Sequence, residues 1–160
     1  MSARNRKSEH ISFRINSCKS HEIESHFKET DLDFLRNLKS RVTISDYSRK
    51  LEERATTFEF WQENVLVALC AVYLDSFGNS AYVTNFSVIS KLIGKRIGSD
   101  LMKRVISEVS NAGIESIKLE VEKQNTRAME FYTKMGFFKY GENEKSIFLK
   151  LIIVNHAIKK

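Results

Sequence analysis

Val83-Thr84-Asn85-Phe86-Ser87-Val88-Ile89 reads as an apolar strand, Ser90-Lys91-Leu92-Ile93-Gly94-Lys95-Arg96 as a turn, and Ile97-Gly98-Ser99 as the opening of an amphipathic helix. The first N–H groups of a helix lack intrahelical partners, and the macrodipole places about half a positive charge at that end. A strand feeding a Gly- and Lys-containing turn that becomes a helix is therefore an anion cradle. Spacing narrows the anion. A Walker loop needs Gly-Lys-Ser/Thr at its end, whereas Gly98 precedes Ser99-Asp100 and brings no lysine to the phosphates. The dinucleotide fingerprint fails as well, because only Gly94 and Gly98 are present and no third glycine follows. Beyond the helix come a second strand, Ile117 to Glu122, and the segment Asn125-Thr126-Arg127-Ala128-Met129-Glu130-Phe131-Tyr132-Thr133-Lys134-Met135-Gly136-Phe137.

These segments resemble the GNAT superfamily of acetyl-CoA-dependent N-acetyltransferases. The family's cofactor loop reads Gln/Arg-x-x-Gly-x-Gly/Ala, after a strand ending in Val-x-Pro. Ile93-Gly94-Lys95-Arg96-Ile97-Gly98 falls on the loop and Val88-Ile89-Ser90 on the strand end. Here Ile93 replaces Gln/Arg, Arg96 replaces the first glycine and Ser90 replaces the proline. The second motif is complete: Asn125, Ala128, Phe131, Tyr132, Gly136 and Phe137 match Asn-x-x-Ala-x-x-Phe/Leu-Tyr-x-x-x-Gly-Phe. The resemblance covers residues 55–154, and the N-terminal third matches in layout only. It implies an α/β fold: a single GNAT-like domain over residues 9–154, with one mixed central β-sheet and helices on both faces. Residues 1–8 are expected to form a disordered N-terminal tail and residues 155–160 a C-terminal tail.

Working outward, Ile11 to Ile15 alternates with period two and reads as a first strand. From Ser20 to Ala55 the pattern is helical. Ile23, Phe27, Leu32, Phe34, Leu35 and Leu38 suggest one or two helices, and Ser45 is a candidate cap for another carrying Tyr47, Leu51 and Ala55. Thr56–Trp61 and Val65–Leu74 read as a hairpin turning at Glu63-Asn64, with a second turn at Phe77-Gly78-Asn79. The helix from Ile97 to Ala112 gathers Leu101, Met102, Val105, Ile106 and Val109, and Gly113 ends it. Ile117, Leu119 and Val121 share one face of the next strand. Ile147 to Val154 is apolar on both faces, as in a strand covered by helices. The predicted order is β-α-α-β-β-β-α-β-α-β-β.

Composition agrees with an ordinary globular chain: 42% hydrophobic, 29% charged, 160 residues, no proline. A net charge of +6 fits a polyanionic ligand. Nucleic acid is the rival explanation, but lysines and arginines are scattered among acids rather than gathered in a stripe. Cys18 and Cys70 are too few and too far apart for a disulfide framework or zinc site, and Cys70 reads as a buried thiol. The apolar run at Val65–Leu74 is about half of a membrane span. Met1 to Lys7 has basic residues with no apolar region behind them, so no secretory signal is read and the cytoplasm is the expected compartment.

The resemblance carries chemistry with it. Acetyl-CoA is the implied cosubstrate, and no metal is called for. The backbone from Ile93 through Gly94, Lys95, Arg96, Ile97 and Gly98 to Ser99 would cradle the pyrophosphate, with Asn125 as a helix cap, a cofactor ligand or both. Arg96 either binds phosphate or occupies a conformation in which glycine would be easier. Phe86, Ser87 and Val88 fall where the family's central strand pairs with the pantetheine arm and one N–H polarises the thioester carbonyl. Tyr132 sits in the stripe Ala128-Phe131-Tyr132-Met135, where most tyrosines only pack. The resemblance puts it beside the leaving sulfur, and a phenol of pKa about 10 can protonate a departing thiolate. Several relatives carry a basic carboxylate where Thr84 and Asn85 stand, so deprotonation of the acceptor is assigned to water, with Glu59, Asp75, Glu120 and Glu122 as reserves. The four histidines show no ligand spacing. The expected acceptor is a small-molecule primary amine. A peptide α-amine is the alternative, as is a silent acyl-CoA-binding module of the same fold. A homodimer is left open.

Overall fold

The computed structural model describes residues 10–75, 77 and 79–153. The expected tails at 1–8 and 155–160, and residues Gly78 and Val154 of the expected turn and last strand, lie outside them. The elements are β1 (Ser12–Ile15), α1 (Ser20–Lys28), α2 (Leu32–Arg41), α3 (Ile44–Arg54), β2 (Thr56–Gln62), β3 (Val65–Asp75) and β4 (Ser80–Val88). A short 3₁₀ turn, Ser90–Leu92, leads to α4 (Ile97–Asn111), β5 (Ser116–Glu122), α5 (Thr126–Lys134), β6 (Phe138–Glu142) and β7 (Ser146–Ile152). This is an α/β fold with one seven-stranded mixed sheet in the order β1-β2-β3-β4-β5-β7-β6. Three helices, not two, separate β1 from β2. Thr43 rather than Ser45 precedes α3, and it makes no side-chain cap bond.

The chain divides into two compact units. Among the described residues, the first comprises 10–71 and 85–101. In it α1 packs on α3, and the Phe27 ring stacks on Tyr47 at 5.9 Å. Ile23, His26 and Phe27 form the buried stripe of α1 at i, i+3 and i+4. Asp31 caps α2 by accepting from Phe34 N at 2.9 Å. Leu38 is that helix's buried residue, whereas Leu32 in its first turn is 73% exposed. The β2–β3 hairpin turns through Glu63 and Asn64, both at positive φ (49° and 65°), as a two-residue type I′ turn requires.

Glu59 on β2 is fully buried, and neutral donors hold its carboxylate. It accepts from Ser17 N (3.0 Å), Ser17 Oγ (2.6 Å), Cys18 N (3.1 Å), Thr57 Oγ1 (2.6 Å) and Trp61 Nε1 (2.8 Å). Thr57 and Trp61 lie two residues either side of Glu59, so the strand's own period brings them to one face. The segment after β1 is thereby fastened to β2.

Among the described residues, the second unit comprises 72–75, 77, 79–84 and 102–153. β5 pairs antiparallel with β7, setting Ile117 against Leu151, Leu119 against Leu149 and Val121 against Ile147. The parallel ladder joins Ser80–Tyr82 of β4 to Ser116–Lys118 of β5. Gly113, at φ 84°, ends α4 as expected. The expectation for β7 needs correction: it is not covered on both faces. Phe148 and Lys150 are half-buried, Ile152 is 52% exposed, and both neighbouring strands are antiparallel, an arrangement that tolerates one solvated face.

Candidate active site

Backbone geometry makes the loop before α4 distinctive. Ile89 N donates to Val67 O at 2.9 Å and Ser90 N to Glu29 O at 2.8 Å, tying the end of β4 to β3 and to the C-terminus of α1. The chain then turns through Gly94 at φ 85° and Arg96 at φ 64°. A Cβ on Gly94 would meet nothing within 4 Å, so the backbone conformation, not crowding, favours glycine there. Arg96 adopts the same left-handed region with a side chain, at a cost of roughly 1–2 kcal/mol. Arg96 O accepts from Asp100 N (3.0 Å) and from Ser99 Oγ (3.1 Å), closing the first turn of α4. The amides of Ile97, Gly98 and Ser99 stand at the end of α4 where helical N–H groups have no intrahelical acceptor. Phe86, Ser87, Val88 and Ile93 through Ser99 all belong to the first unit; Asn125 and Tyr132 belong to the second.

Asn125 caps α5 by accepting from Ala128 N at 3.0 Å. Gly136 follows the helix at φ 102°, with Phe137 N returning to Tyr132 O at 3.0 Å. A Cβ on Gly136 would lie 3.2 Å from Leu151 Cδ1, so two constraints meet at that glycine. Tyr132 is 8% exposed, its ring 5.1 Å from Phe131 and 5.4 Å from Phe137 in edge-on contacts. The spacing of the motif thus builds a capped helix that presses a tyrosine between two phenylalanines.

Of the reserve bases, Glu59 is a structural anion. Burial alone would raise its pKa, but bonds from Ser17, Thr57, Trp61 and Cys18 outweigh that and hold it below the usual value. Glu120 and Glu122 are exposed on β5, and exposed Asp75 accepts from Phe77 N at 3.0 Å. Both cysteines are free thiols buried in the fold. Burial and the Glu59 charge push Cys18 up to about 12, and burial pushes Cys70 well above the ordinary thiol range. Among the described residues no cluster of His, Cys, Asp and Glu could hold a metal ion, and no helix is long and apolar enough to cross a membrane.

The fold brings to β4 a residue that ligand spacing does not single out. His26 is 2% exposed, with Nδ1 2.8 Å from Leu66 O and Nε2 2.8 Å from Ser87 Oγ. Ser87 Oγ also lies 2.8 Å from Asn85 Oδ1. Burial lowers the His26 pKa to about 4, against a smaller opposing effect of the Leu66 carbonyl. Metal-ligand spacing could not have found it. Its place on the Ile23–Phe27 stripe of α1 could.

Residues 19–137 match the family model described as the acetyltransferase (GNAT) family. The chain belongs to the GNAT acetyltransferase family. N-alpha-acetyltransferase 30 of Schizosaccharomyces pombe is 30% identical over 59 residues; the match takes in 37% of this chain and only 39% of that relative's length. Among solved structures, the ribosomal-protein-S18-alanine N-acetyltransferase of Escherichia coli superposes with a TM-score of 0.72 at 17% identity, covering 89% of this chain and 94% of that one. PaiA N-acetyltransferase of Thermoplasma acidophilum, in complex with coenzyme A, gives 0.68 at 14% identity, over 88% and 99% of the two chains. At these identities the solved structures speak to the fold.

Proposed function

We propose that this protein is an N-acetyltransferase that moves an acetyl group from acetyl-CoA to a primary amine of a small-molecule acceptor. The observation that carries this is the Asn125–Phe137 segment, which folds as a helix capped by Asn125 and closed by left-handed Gly136, with Tyr132 held at its centre. The left-handed turn at Gly94 and Arg96 ahead of α4 supports it.

Both substrates bind before reaction, and the neutral amine attacks the thioester carbon directly. The C–N bond forms, the C–S bond breaks, and no acyl-enzyme intervenes. A backbone N–H within Phe86–Val88 is assigned to the carbonyl oxygen as negative charge develops there. The amides from Ile93 to Ser99 hold the pyrophosphate, aided by the Arg96 guanidinium. Tyr132 gives its proton to the departing thiolate and recovers one, through water, from the acetylated nitrogen. Water also takes the ammonium proton, because neither Thr84 nor Asn85 supplies a carboxylate.

Acetyl-CoA and CoA should each raise Tm, and ATP should not. Turnover is then followed as free CoA thiol with a panel of amino sugars, polyamines and short peptides. Stabilisation by ATP alone would sink the assignment, and acetyl-CoA binding without turnover of any amine would favour the silent module. Similarity to a relative named as an N-alpha-acetyltransferase supports a second reading, in which the acceptor is a peptide α-amine. Fast acetylation of peptide N-termini with no small amine consumed would select it.

A further inference from the structure

β4 presents two kinds of residue in alternation. Asn85 and Ser87 are buried, while Thr84, Phe86 and Val88 are half-exposed. Asn85 meets Ser87, Ser87 meets His26 of α1, and His26 in turn meets Leu66 of β3. Two contacts of 2.8 Å from His26 therefore fasten α1 to β3 and to β4, and a third of the same length links Ser87 to Asn85 within β4, all among buried residues.

Protons in this chain can be placed by elimination. A carbonyl only accepts, so Nδ1 of His26 carries a hydrogen and donates it to Leu66 O. Burial keeps the ring neutral, which leaves Nε2 bare and obliges Ser87 to donate its single hydroxyl proton there. Ser87 then has none for Asn85. The Asn85 amide must turn its NH₂ toward Ser87 Oγ, a rotation that leaves its shape unchanged. The order is Asn85 N–H to Ser87 O–H to His26 Nε2, with His26 Nδ1–H to Leu66 O. The opposite order needs an imidazolium with no carboxylate among these contacts.

We propose that His26 is a positioning residue for acetyl transfer: through Ser87 it fixes the twist of β4 where the backbone of Phe86–Val88 meets the thioester. This rests on the assignment of Phe86–Val88 made above and adds to it the device that holds them. An oxyanion donor is effective only if it is already aimed, and a misplacement of about 1 Å can cost on the order of 100-fold in rate. A side-chain anchor on alternate residues of a strand sets the direction of the intervening N–H groups.

The test uses the full chain, acetyl-CoA, and the panel amine that the wild type turns over best. His26→Asn retains a donor for Leu66 O but falls short of Ser87; Ser87→Ala removes the hydroxyl with almost no change of volume. Each should lower kcat about tenfold or more while the KM for acetyl-CoA changes less than about threefold. The double variant should be no worse than the more severe single one, because both break one connection. His26→Gln, whose carbonyl can still accept from Ser87, should recover much of kcat. Nitrogen NMR of the wild type should show the Nδ1–H tautomer at neutral pH. Variants that melt lower but keep wild-type kcat per folded molecule would make His26 merely structural and overturn the proposal. So would an Nε2–H or doubly protonated ring. A wild type that neither binds acetyl-CoA nor acetylates an amine overturns the functional assignment itself, and the proposal with it; the NMR result still reports the proton order separately.

Discussion

At Tyr132 packing and chemistry make opposite forecasts for one atom. Tyr132→Phe keeps the ring between Phe131 and Phe137 and deletes the hydroxyl. If the phenol protonates sulfur, kcat falls about 100-fold or more, with acetyl-CoA affinity little changed, since the contact strengthens only as charge develops. Steady-state kinetics beside a binding titration reads both, and an unaffected kcat would return Tyr132 to the core. Arg96 sets a second contest. Its φ of 64° is strained for any residue with a Cβ, so Arg96→Gly should raise stability by up to about 1 kcal/mol after the added chain entropy of glycine. The same change removes a cation from the loop and should weaken acetyl-CoA binding by roughly 1.5–3 kcal/mol, the range for a hydrogen bond to a charged group. A stabilised variant that binds acetyl-CoA as well as the wild type would take Arg96 off the site.

At the scale of elements, α5 shows how a motif encodes a helix before it encodes chemistry. Its nine residues are too few to be stable alone in water, so the ends matter. Asn125→Ala removes the acceptor for Ala128 N and should cost about 0.5–2 kcal/mol in a denaturant titration, whereas Asn125→Asp keeps the acceptor and should cost little. If Asn125 also touches the cofactor, the Asp variant will be stable yet bind acetyl-CoA less well, because it adds a negative charge. Equal loss of stability in both would show that the cap bond is not what matters. The region before β2 was harder to divide. Leu32 completes an apolar pattern in the sequence yet lies in an exposed first turn, and Thr43 begins α3 without using its hydroxyl. Periodicity fixes which residues can share a face; packing partners settle which face is covered.

For the whole molecule, two buried groups define how the fold meets acid. His26 is neutral in the fold with its pKa lowered to about 4, so its contribution is complete above the unfolded value of about 6.5 and is lost as pH falls toward 4. Glu59 is held below the ordinary carboxylate value, so its contribution is complete above about 4.3 and is lost as pH falls through the lowered folded value. Unfolding titrations from about pH 8 to about pH 3 should show a gradual loss beginning below about 6.5 and a steeper one below about 4.5. Glu59→Gln should be less stable at neutral pH by about 1–3 kcal/mol, since its amide end faces donors, and should lack the steeper limb. A variant with the wild-type profile would assign the acid limb to other carboxylates. The family, the strand–turn–helix around Gly94 and the capped motif from Asn125 to Phe137 were legible in the sequence, because glycines, caps and period are local and a few residues suffice to state them. The partners of Glu59, His26 and Ser87 were not. Ser17 and Glu59 are 42 positions apart, and His26 and Ser87 are 61, and only the folded chain turns a strand carboxylate into a buried anion or joins a helix histidine to the strand it holds.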